Sequence, residues 1–387
     1  MKSLFLLLIF CTFWACRPVS EEKDSFKEIE KIVINPQVID NQLDLSEILS
    51  DSLDVIALET RDECLISEID HLEYYKDMIF VSDRVNKKIL VFTSNGRYLK
   101  SIGKQGAAPG EYVSLGDFSF KGDSVVVQDR YKKNYIIYDL YSTSYREVPY
   151  NVFHWEMISF GDCMSLVSNN IESSYGNYNL FEFNLNTAKI LGKKLPFKEK
   201  DTEKSTFGLK RYASKCDDEA MLIYPLNDTI YTVKKDEIFP SYVISFTERN
   251  LPEKLNVDKN QLYRYVHENK FLKGWEYMQN SRKYLLGYYI DDGFKYFIFN
   301  KQNLKVNVGK WLVIGFLGNM SFYNFCTTSD NTLYTFLNAD ILLSNWISIR
   351  KNCKNDYYRD KMDRVAEGLN DDSNPVLFRW HFKDVTE

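Results

Sequence analysis

Three aspartates occupy the positions in this sequence that best suit metal chemistry. Asp83, Asp129 and Asp139 each follow a short apolar run that is typical of a β-strand. Carboxylate oxygens at the ends of neighbouring strands are ligands that suit Ca²⁺. Aspartate at a strand end is also a common turn residue, because its carboxylate accepts hydrogen bonds from nearby backbone N–H groups. Both interpretations stay open, so we name no metal ligand and expect no cofactor, with Ca²⁺ as the one alternative.

The histidines are too scattered for the motifs in which histidine binds a metal or assists catalysis. The chain has four of them, His71, His154, His267 and His381. None is spaced as H-x-H or H-x-x-x-H, the spacings that bring two imidazoles to the same ion. We therefore name no catalytic residue and expect no histidine-based metal centre or triad.

Aromatic residues make up 15% of the chain, and some of them stand where they could meet a ligand. Trp155, Trp275 and Tyr277 lie next to predicted loops or within an insertion at 252–283. Exposed aromatic rings stack on sugar rings, whereas buried ones fill the core. We treat these three residues as candidate ligand-face aromatics, and core packing is the alternative for each.

One glycine-rich segment looks like a phosphate loop. Gly103, Gly106 and Gly110 break the chain after an apolar hairpin. A phosphate loop requires a helix whose N-terminus faces the anion, but a strand-like run follows here, and Glu111 would repel phosphate. The glycines therefore predict a crossover between two structural units, with Tyr112 packed between them.

One unit repeats along the chain, and it consists of an apolar strand, a short polar turn and an aromatic-rich strand. An aromatic residue ends the second strand in five copies, at Phe92, Tyr138, Phe183, Tyr231 and Phe299. The steps between them are 46, 45, 48 and 68 residues. The first three steps match a four-stranded propeller blade of about 40–50 residues. With a degenerate sixth copy at 332–336, the repeat predicts an all-β fold, a six-bladed β-propeller.

Helical patterns interrupt the repeat in two places. The fourth step exceeds one blade by roughly 20 residues, which predicts the insertion at 252–283. Within it, Leu262 and Val266 indicate a short helix. Near the C-terminus, apolar residues at i, i+3, i+4 and i+7 predict an amphipathic helix, and they are Met362, Val365, Ala366 and Leu369.

The two ends of the propeller are predicted to share one blade. A strand-like run at 53–58 lies near the start, and another at 375–382 follows the amphipathic helix. Pairing these two runs would close the ring and remove exposed sheet edges. We expect the propeller to span residues 31–387.

The N-terminus is typical of a bacterial lipoprotein. Residues 1–15 contain one lysine and a 12-residue apolar run that is too short to span a bilayer. Cys16 follows a small residue and would carry the lipid that contacts the membrane, and residues 16–30 form a polar tether. The alternative is an ordinary signal peptide with an incidental cysteine.

The net charge gives no support for nucleic-acid binding. It is −5 for the whole chain and −6 after removal of residues 1–15. Nucleic-acid-binding domains carry a basic patch or stripe instead. We therefore expect no nucleic-acid partner.

Four passages of the chain are similar to a known family, at 45–60, 62–69, 102–112 and 373–377. The third reads IGKQGAAPGEY and resembles an IG-x-x-G-x-GPGEY pattern, with Ala107-Ala108 where a glycine is usual. On these passages the chain resembles the six-bladed β-propeller lipoproteins of Bacteroides-group bacteria, which are related in shape to NHL and TolB-type propellers. The resemblance implies a propeller in the cell envelope, and it brings no activity or catalytic residue with it.

These observations favour a binding module, and they leave enzymatic activity open. We expect an outer-membrane lipoprotein, facing the periplasm or the surface, that binds a ligand such as a glycan, or an envelope protein. The alternatives are a structural scaffold and a metal-dependent, lactonase-like hydrolase or lyase with its site in the central channel. Fold and compartment alone carry this expectation, since one fold hosts many functions.

Overall fold

The structure, a computed structural model, describes residues 29–252, 257 and 261–383. Its strands form six sheets, which confirms the predicted six-bladed β-propeller. The predicted signal peptide, Cys16 and the tether before residue 29 lie outside the described residues. In the described part of the chain, no helix is long and apolar enough to cross a membrane.

The strands of each blade pair in chain order. Three strands precede blade 1, and they are β1 (Glu30–Ile34), β2 (Asp40–Asp44) and β3 (Leu49–Ala57). Blade 1 contains β4 (His71–Tyr75), β5 (Met78–Asp83), β6 (Lys88–Thr93) and β7 (Tyr98–Ser101). Blade 2 contains β8 (Leu115–Lys121), β9 (Ser124–Asp129), β10 (Asn134–Asp139) and β11 (Tyr145–Pro149). Blade 3 contains β12 (Glu156–Phe160), β13 (Cys163–Val167), β14 (Tyr178–Asn184) and β15 (Lys189–Pro196).

The other three blades include the irregular ones. Blade 4 contains β16 (Ala213–Cys216), β17 (Glu219–Leu222), β18 (Thr229–Val233) and β19 (Ile238–Phe246). Blade 5 contains β20 (Tyr277–Asn280), β21 (Tyr284–Ile290), β22 (Phe294–Asn300), β23 (Lys305–Ile314) and the short β24 (Met320–Phe322). Blade 6 contains β25 (Phe325–Thr327), β26 (Thr332–Leu337), β27 (Val376–Phe382) and, as its fourth strand, β3.

The repeated sequence unit corresponds to the middle strands of each blade. In β5 and β9, every residue after the first is buried. Neighbouring blades cover both faces of these strands, so their sequences are continuous apolar runs and do not alternate. The outer strand β15 instead contains no fully buried residue.

The ring is closed by strands from both ends of the domain, as the sequence predicted. In blade 6, Leu53 of β3 lies opposite Trp380 of β27, and Ala57 lies opposite Val376. The two earlier strands were not predicted. Strand β1 pairs in parallel with β19 of blade 4, and β2 pairs in parallel with β23 of blade 5. Both cover outer edges that would otherwise expose unpaired backbone groups.

Within the described residues, three α-helices lie outside the blades, namely α1 (Leu262–Glu268), α2 (Ala339–Ile349) and α3 (Asp356–Glu367). Helix α1 is the predicted helix of the insertion, although the insertion ends before residue 277, where β20 begins, and not at residue 283. Helix α3 is the predicted amphipathic helix. The side chain of Asn355 caps it by accepting the Tyr357 N–H, and Met362 packs with Trp346 of the unpredicted α2.

Apolar layers between adjacent blades form the core. One layer joins Phe80 of blade 1 to Phe118 of blade 2 and includes Tyr112 from the crossover between them. The backbone of Gly103 has a φ of 60°, and a Cβ there would lie 2.3 Å from the Tyr138 hydroxyl. Only glycine fits this combination of positive φ and close approach. The glycine-rich segment is therefore a blade crossover, as predicted.

Candidate functional site

The first strands of all six blades enclose one cavity of about 300 Å³. Residues of β4, β8, β12, β16, β20 and β25 line it, and each of these strands lies at one end of its sheet. A cavity with this lining is the central channel of the propeller. A second cavity of about 160 Å³ adjoins it. The residues that line both cavities, and therefore separate them, are Asp70, His71, Glu156, Lys210 and Arg211.

A charged network centred on Asp117 and Arg211 crosses the channel. Arg211 precedes blade 4, and its Nη1 donates to Asp117 Oδ1 at 3.0 Å. Its Nε lies 3.2 Å from Glu156 Oε1. Both carboxylate residues are almost inaccessible, with Asp117 5% and Glu156 4% exposed. Backbone N–H groups also donate to these carboxylates, and they belong to Met157, Tyr212 and Ala213.

His71 connects this network to a third carboxylate. Its Nδ1 lies 3.1 Å from Asp117 Oδ1, and its Nε2 lies 3.3 Å from Glu73 Oε1. Burial and the charge of Arg211 lower the pKa of His71, but the hydrogen bonds to the two carboxylates outweigh them and raise it above its usual value. A protonated imidazole donates from both nitrogens, so His71 and Arg211 together bridge three carboxylates.

The two central carboxyl groups have opposite pKa shifts. Burial acts to raise the pKa of Asp117, but Arg211 and His71 outweigh it and hold the pKa well below its usual range. Burial also raises the pKa of Glu156, and there Arg211 offsets the effect only in part. Asp117 therefore stays ionised, whereas Glu156 is the carboxyl that more readily holds a proton.

Two lysines bring further positive charge to the larger cavity. Lys215 of β16 is half-buried, and its Nζ donates to the Ser159 carbonyl at 2.7 Å. Burial lowers the pKa of Lys215. Lys210 is exposed at the edge of the cavity, with its Nζ 5.9 Å from the centre of the Tyr277 ring. Both residues line the space that a ligand would fill.

Aromatic rings form much of the remaining wall. Tyr75 of blade 1 and Phe120 of blade 2 stack with ring centres 4.2 Å apart. Tyr277 of blade 5 and Phe325 of blade 6 pack edge to face with centres 5.3 Å apart. Blades 6 and 1 are neighbours in the closed ring, so the two aromatic pairs do not face each other across the channel. Tyr75 and Phe120 are half-buried, whereas Tyr277 and Phe325 are only 4% and 3% exposed.

The three candidate ligand-face aromatics lie in different places. Tyr277 lines the larger cavity. Trp155 lines the smaller cavity, where the Arg130 guanidinium carbon lies 5.0 Å from its ring centre. Trp275 is only 2% exposed and stacks on Phe297, with ring centres 3.7 Å apart, in the layer between blades 4 and 5. Trp275 lines neither cavity and packs in the core, which was the alternative to a place on a ligand face.

The three strand-end aspartates line neither cavity. Their carboxylates accept N–H groups of the adjacent turns, as Asp83 does from Asn86 and Asp139 does from Tyr141. These hydrogen bonds are the ones expected when a strand-end aspartate acts as a turn residue. Within residues 29–252, 257 and 261–383, no three His, Cys, Asp or Glu side chains are grouped to hold a metal ion.

The charged residues of the channel form no motif in the sequence, and we did not predict them as a site. His71, Asp117 and Glu156 belong to three different blades, and Arg211 precedes a fourth. Their one local signal is a charged side chain inside an apolar or aromatic strand, as in HLEYY of β4 and LGDFSFK of β8.

Comparison with known proteins agrees with this architecture. None of the curated proteins matches the chain. The structure is similar to that of a putative exported protein from Bacteroides fragilis, with 17% identity and a TM-score of 0.70, over 92% of this chain and 100% of the other. It is also similar to a member of the DUF4221 family from Bacteroides vulgatus, with 9% identity and a TM-score of 0.50, over 87% of this chain and 97% of the other. At these identities the likeness shows the fold alone.

The family model described as "Domain of unknown function (DUF4934)" matches residues 30–380. This range begins in β1 and ends in β27, so it includes all six blades and the closure of the ring. The chain therefore belongs to the DUF4934 family.

Proposed function

We propose that this protein is a binding module of the cell envelope and that it holds a small molecule in its central channel. The observation that carries the proposal is the cavity of about 300 Å³ enclosed by the inner strands of all six blades. Ligand sites in proteins are concave and combine apolar walls with a few well-placed polar groups. Here the aromatic walls stand beside the fixed charges of Arg211 and Lys215.

Hydrogen bonds between the inner strands of blades 4, 5 and 6 also support binding, because they hold polar side chains of the cavity wall in place. Gln279 Oε1 accepts the Thr327 N–H at 2.8 Å and the Ser214 hydroxyl at 3.3 Å. These three residues belong to blades 5, 6 and 4, respectively. A site whose polar groups are already ordered loses less entropy when the ligand binds.

The contacts in the channel favour binding over the alternative of a metal-dependent hydrolase or lyase. A metal at the centre of the channel would take Asp117 and Glu156 as oxygen ligands, but both carboxylates already pair with Arg211. A cation there would also meet the positive charge of the guanidinium. We therefore expect ligand binding to be the same in Ca²⁺ and in EDTA.

A channel-filling variant tests the proposal. Thermal shift and calorimetry with a panel of sugars, organic acids and amino acids should identify compounds that bind the purified protein. Ser119 lines the cavity and is half-buried, so Ser119→Trp should abolish their binding. Ser52→Trp places the same side chain on the exposed edge of β3 and should keep it. Binding that survives Ser119→Trp, or a panel without any binder, would contradict the proposal.

We also propose that the protein is an outer-membrane lipoprotein anchored through Cys16, facing the periplasm or the surface. The apolar run before Cys16 supports this location, as does the similarity in fold to a protein described as exported. Cys16→Ala should remove the protein from the membrane fraction and abolish labelling with palmitate. The control Cys163→Ala should keep both, and a Cys16→Ala protein that stays labelled would disprove the anchor.

A further inference from the structure

We infer that the channel ligand is a small cyclic carboxylate whose anionic group is held by Lys210 and Lys215. This inference rests on the proposed function and adds the chemical class of the ligand. It comes from the charges that line the cavity, from their partners and from the shape of the aromatic walls.

Most charged side chains around the larger cavity already have a partner of opposite sign. Arg211 pairs with Asp117 and Glu156, and Glu73 pairs with His71. Two further pairs lie at the rim, Lys121 with Asp162 at 2.6 Å and Arg84 with Asp70 at 2.8 Å. Within each rim pair the two charges neutralise each other, but in the central network two cations meet three carboxylates. None of these groups therefore supplies a free positive charge for a ligand.

Lys210 and Lys215 lack such a partner. Across the described ranges of the chain, no carboxylate oxygen lies within 4.0 Å of either amino group. Lys215 uses one N–H on the Ser159 carbonyl, which leaves two donors for another group. The carboxylates of Glu73 and Asp218 act on Lys215 only from beyond 4.0 Å. A half-buried ammonium without a direct ion pair is costly, and a bound anion would offset that cost. The chain as a whole has a net charge of −5, so this local excess of positive charge does not follow from its composition.

The smaller cavity is also positively charged. Arg130 donates to Gln128 Oε1 at 3.3 Å and to the Trp155 carbonyl at 3.1 Å. In the part of the chain that the structure describes, its guanidinium has no carboxylate within 4.0 Å either. Unpaired cations therefore stand on both sides of the Arg211 network, and an anion entering from either cavity meets an attractive charge.

The walls favour a cyclic compound with a single negative charge. Tyr75 and Phe120 are half-buried, line the cavity and stack with their ring centres 4.2 Å apart, and the ring of a ligand can pack against such an aromatic surface. Glu73 lines the same cavity and would repel a second negative charge, so a carboxylate suits the site better than a phosphate dianion. Two sources supply this chemistry, aromatic acids and uronic acids, and the experiment separates them.

Isothermal titration calorimetry of the purified protein with matched pairs tests the inference. The pairs are 4-hydroxybenzoate with 4-hydroxybenzamide, and glucuronate with glucose. In at least one pair, the acid should bind at least roughly tenfold more tightly than its neutral partner. Lys210→Gln and Lys215→Gln should each weaken binding of that acid by roughly tenfold, whereas the corresponding arginine variants and the surface control Lys189→Gln should not.

The outcomes separate this inference from the proposed function. If neutral compounds bind as tightly as the acids and Ser119→Trp abolishes their binding, the inference is wrong and the proposed function stands. Unchanged affinity of the acid in both glutamine variants, or binding of open-chain acids alone, would also overturn the inference. If no compound of any charge binds in the channel, the proposed function fails together with it.

Discussion

Arg211 and Asp117 are separated by 94 residues in the sequence, yet their side chains meet at 3.0 Å at the boundary between the two cavities. The pair joins blade 2 to the segment before blade 4, and Glu156 connects it to blade 3. These contacts require blades 2, 3 and 4 to stand in their native order around the channel. The same pair therefore contributes to the stability of the propeller and to the shape of the proposed binding site.

Replacing Arg211 by methionine should destabilise the fold by about 3–5 kcal/mol, because the change leaves Glu156 buried without the guanidinium and Asp117 with His71 in place of two cations. Urea unfolding measures this loss. Arg282→Met is the matched control, since Arg282 forms an exposed pair with Asp217 and should cost only about 0–1 kcal/mol. Equal losses in the two variants would contradict the central role of Arg211.

The raised pKa of His71 predicts a pH-dependent part of the stability. The folded state holds this proton more tightly than the unfolded state does, because burial and the charge of Arg211 lower the pKa of His71 by less than Asp117 and Glu73 raise it. The contribution is therefore complete below the ordinary histidine value of 6.5 and is lost as the pH rises through the folded pKa. Urea unfolding at a series of pH values should show this loss in the wild type.

His71→Gln should lack this component of the pH profile. His381→Gln, which changes an exposed histidine of β27, should keep it. A His71→Gln profile parallel to that of the wild type would show that His71 does not bind its proton more tightly in the folded state.

As the pH rises, carboxylate binding in the channel should weaken at a lower pH than it would if Lys215 had the ordinary pKa of a lysine. Burial lowers the pKa of Lys215 below its usual 10.5, so this amino group loses its charge at a lower pH. Lys215→Arg should extend binding to higher pH, because a guanidinium keeps its proton throughout. Calorimetry of the bound acid across pH measures the difference, and identical profiles for the two proteins would contradict it.

Removal of residues 1–60 should unfold the propeller. The deletion takes β3 away and exposes the edge of β27, where Trp380 and Phe378 are buried in the native protein. Removal of residues 1–29 leaves all three N-terminal strands and should keep the melting temperature of the intact domain. Thermal melts followed by circular dichroism measure the stability of both truncated proteins. A cooperative, native-like melt after removal of residues 1–60 would show that β3 is not needed to close the ring.

The elements predicted correctly are those whose signals are local. The middle strands of each blade are buried on both faces, so their apolar runs recur at blade spacing and show the propeller directly. Helix α3 has a regular apolar face and a capping asparagine, Asn355. Strands β1 and β2 were missed because they are short and mostly exposed at blade edges, where pairing to a distant strand and not an apolar pattern decides their conformation.

The sequence by itself determined the number of blades, the crossover at Gly103, the closing strands and the two predicted helices, because neighbouring residues carry those signals. Only the tertiary structure decided which side chains share the channel. His71, Asp117, Glu156 and Arg211 come from separate blades or the segments between them, and no spacing along the chain announces that they meet. They meet because the ring places the inner strand of every blade around one axis, and that geometry exists only in the closed fold.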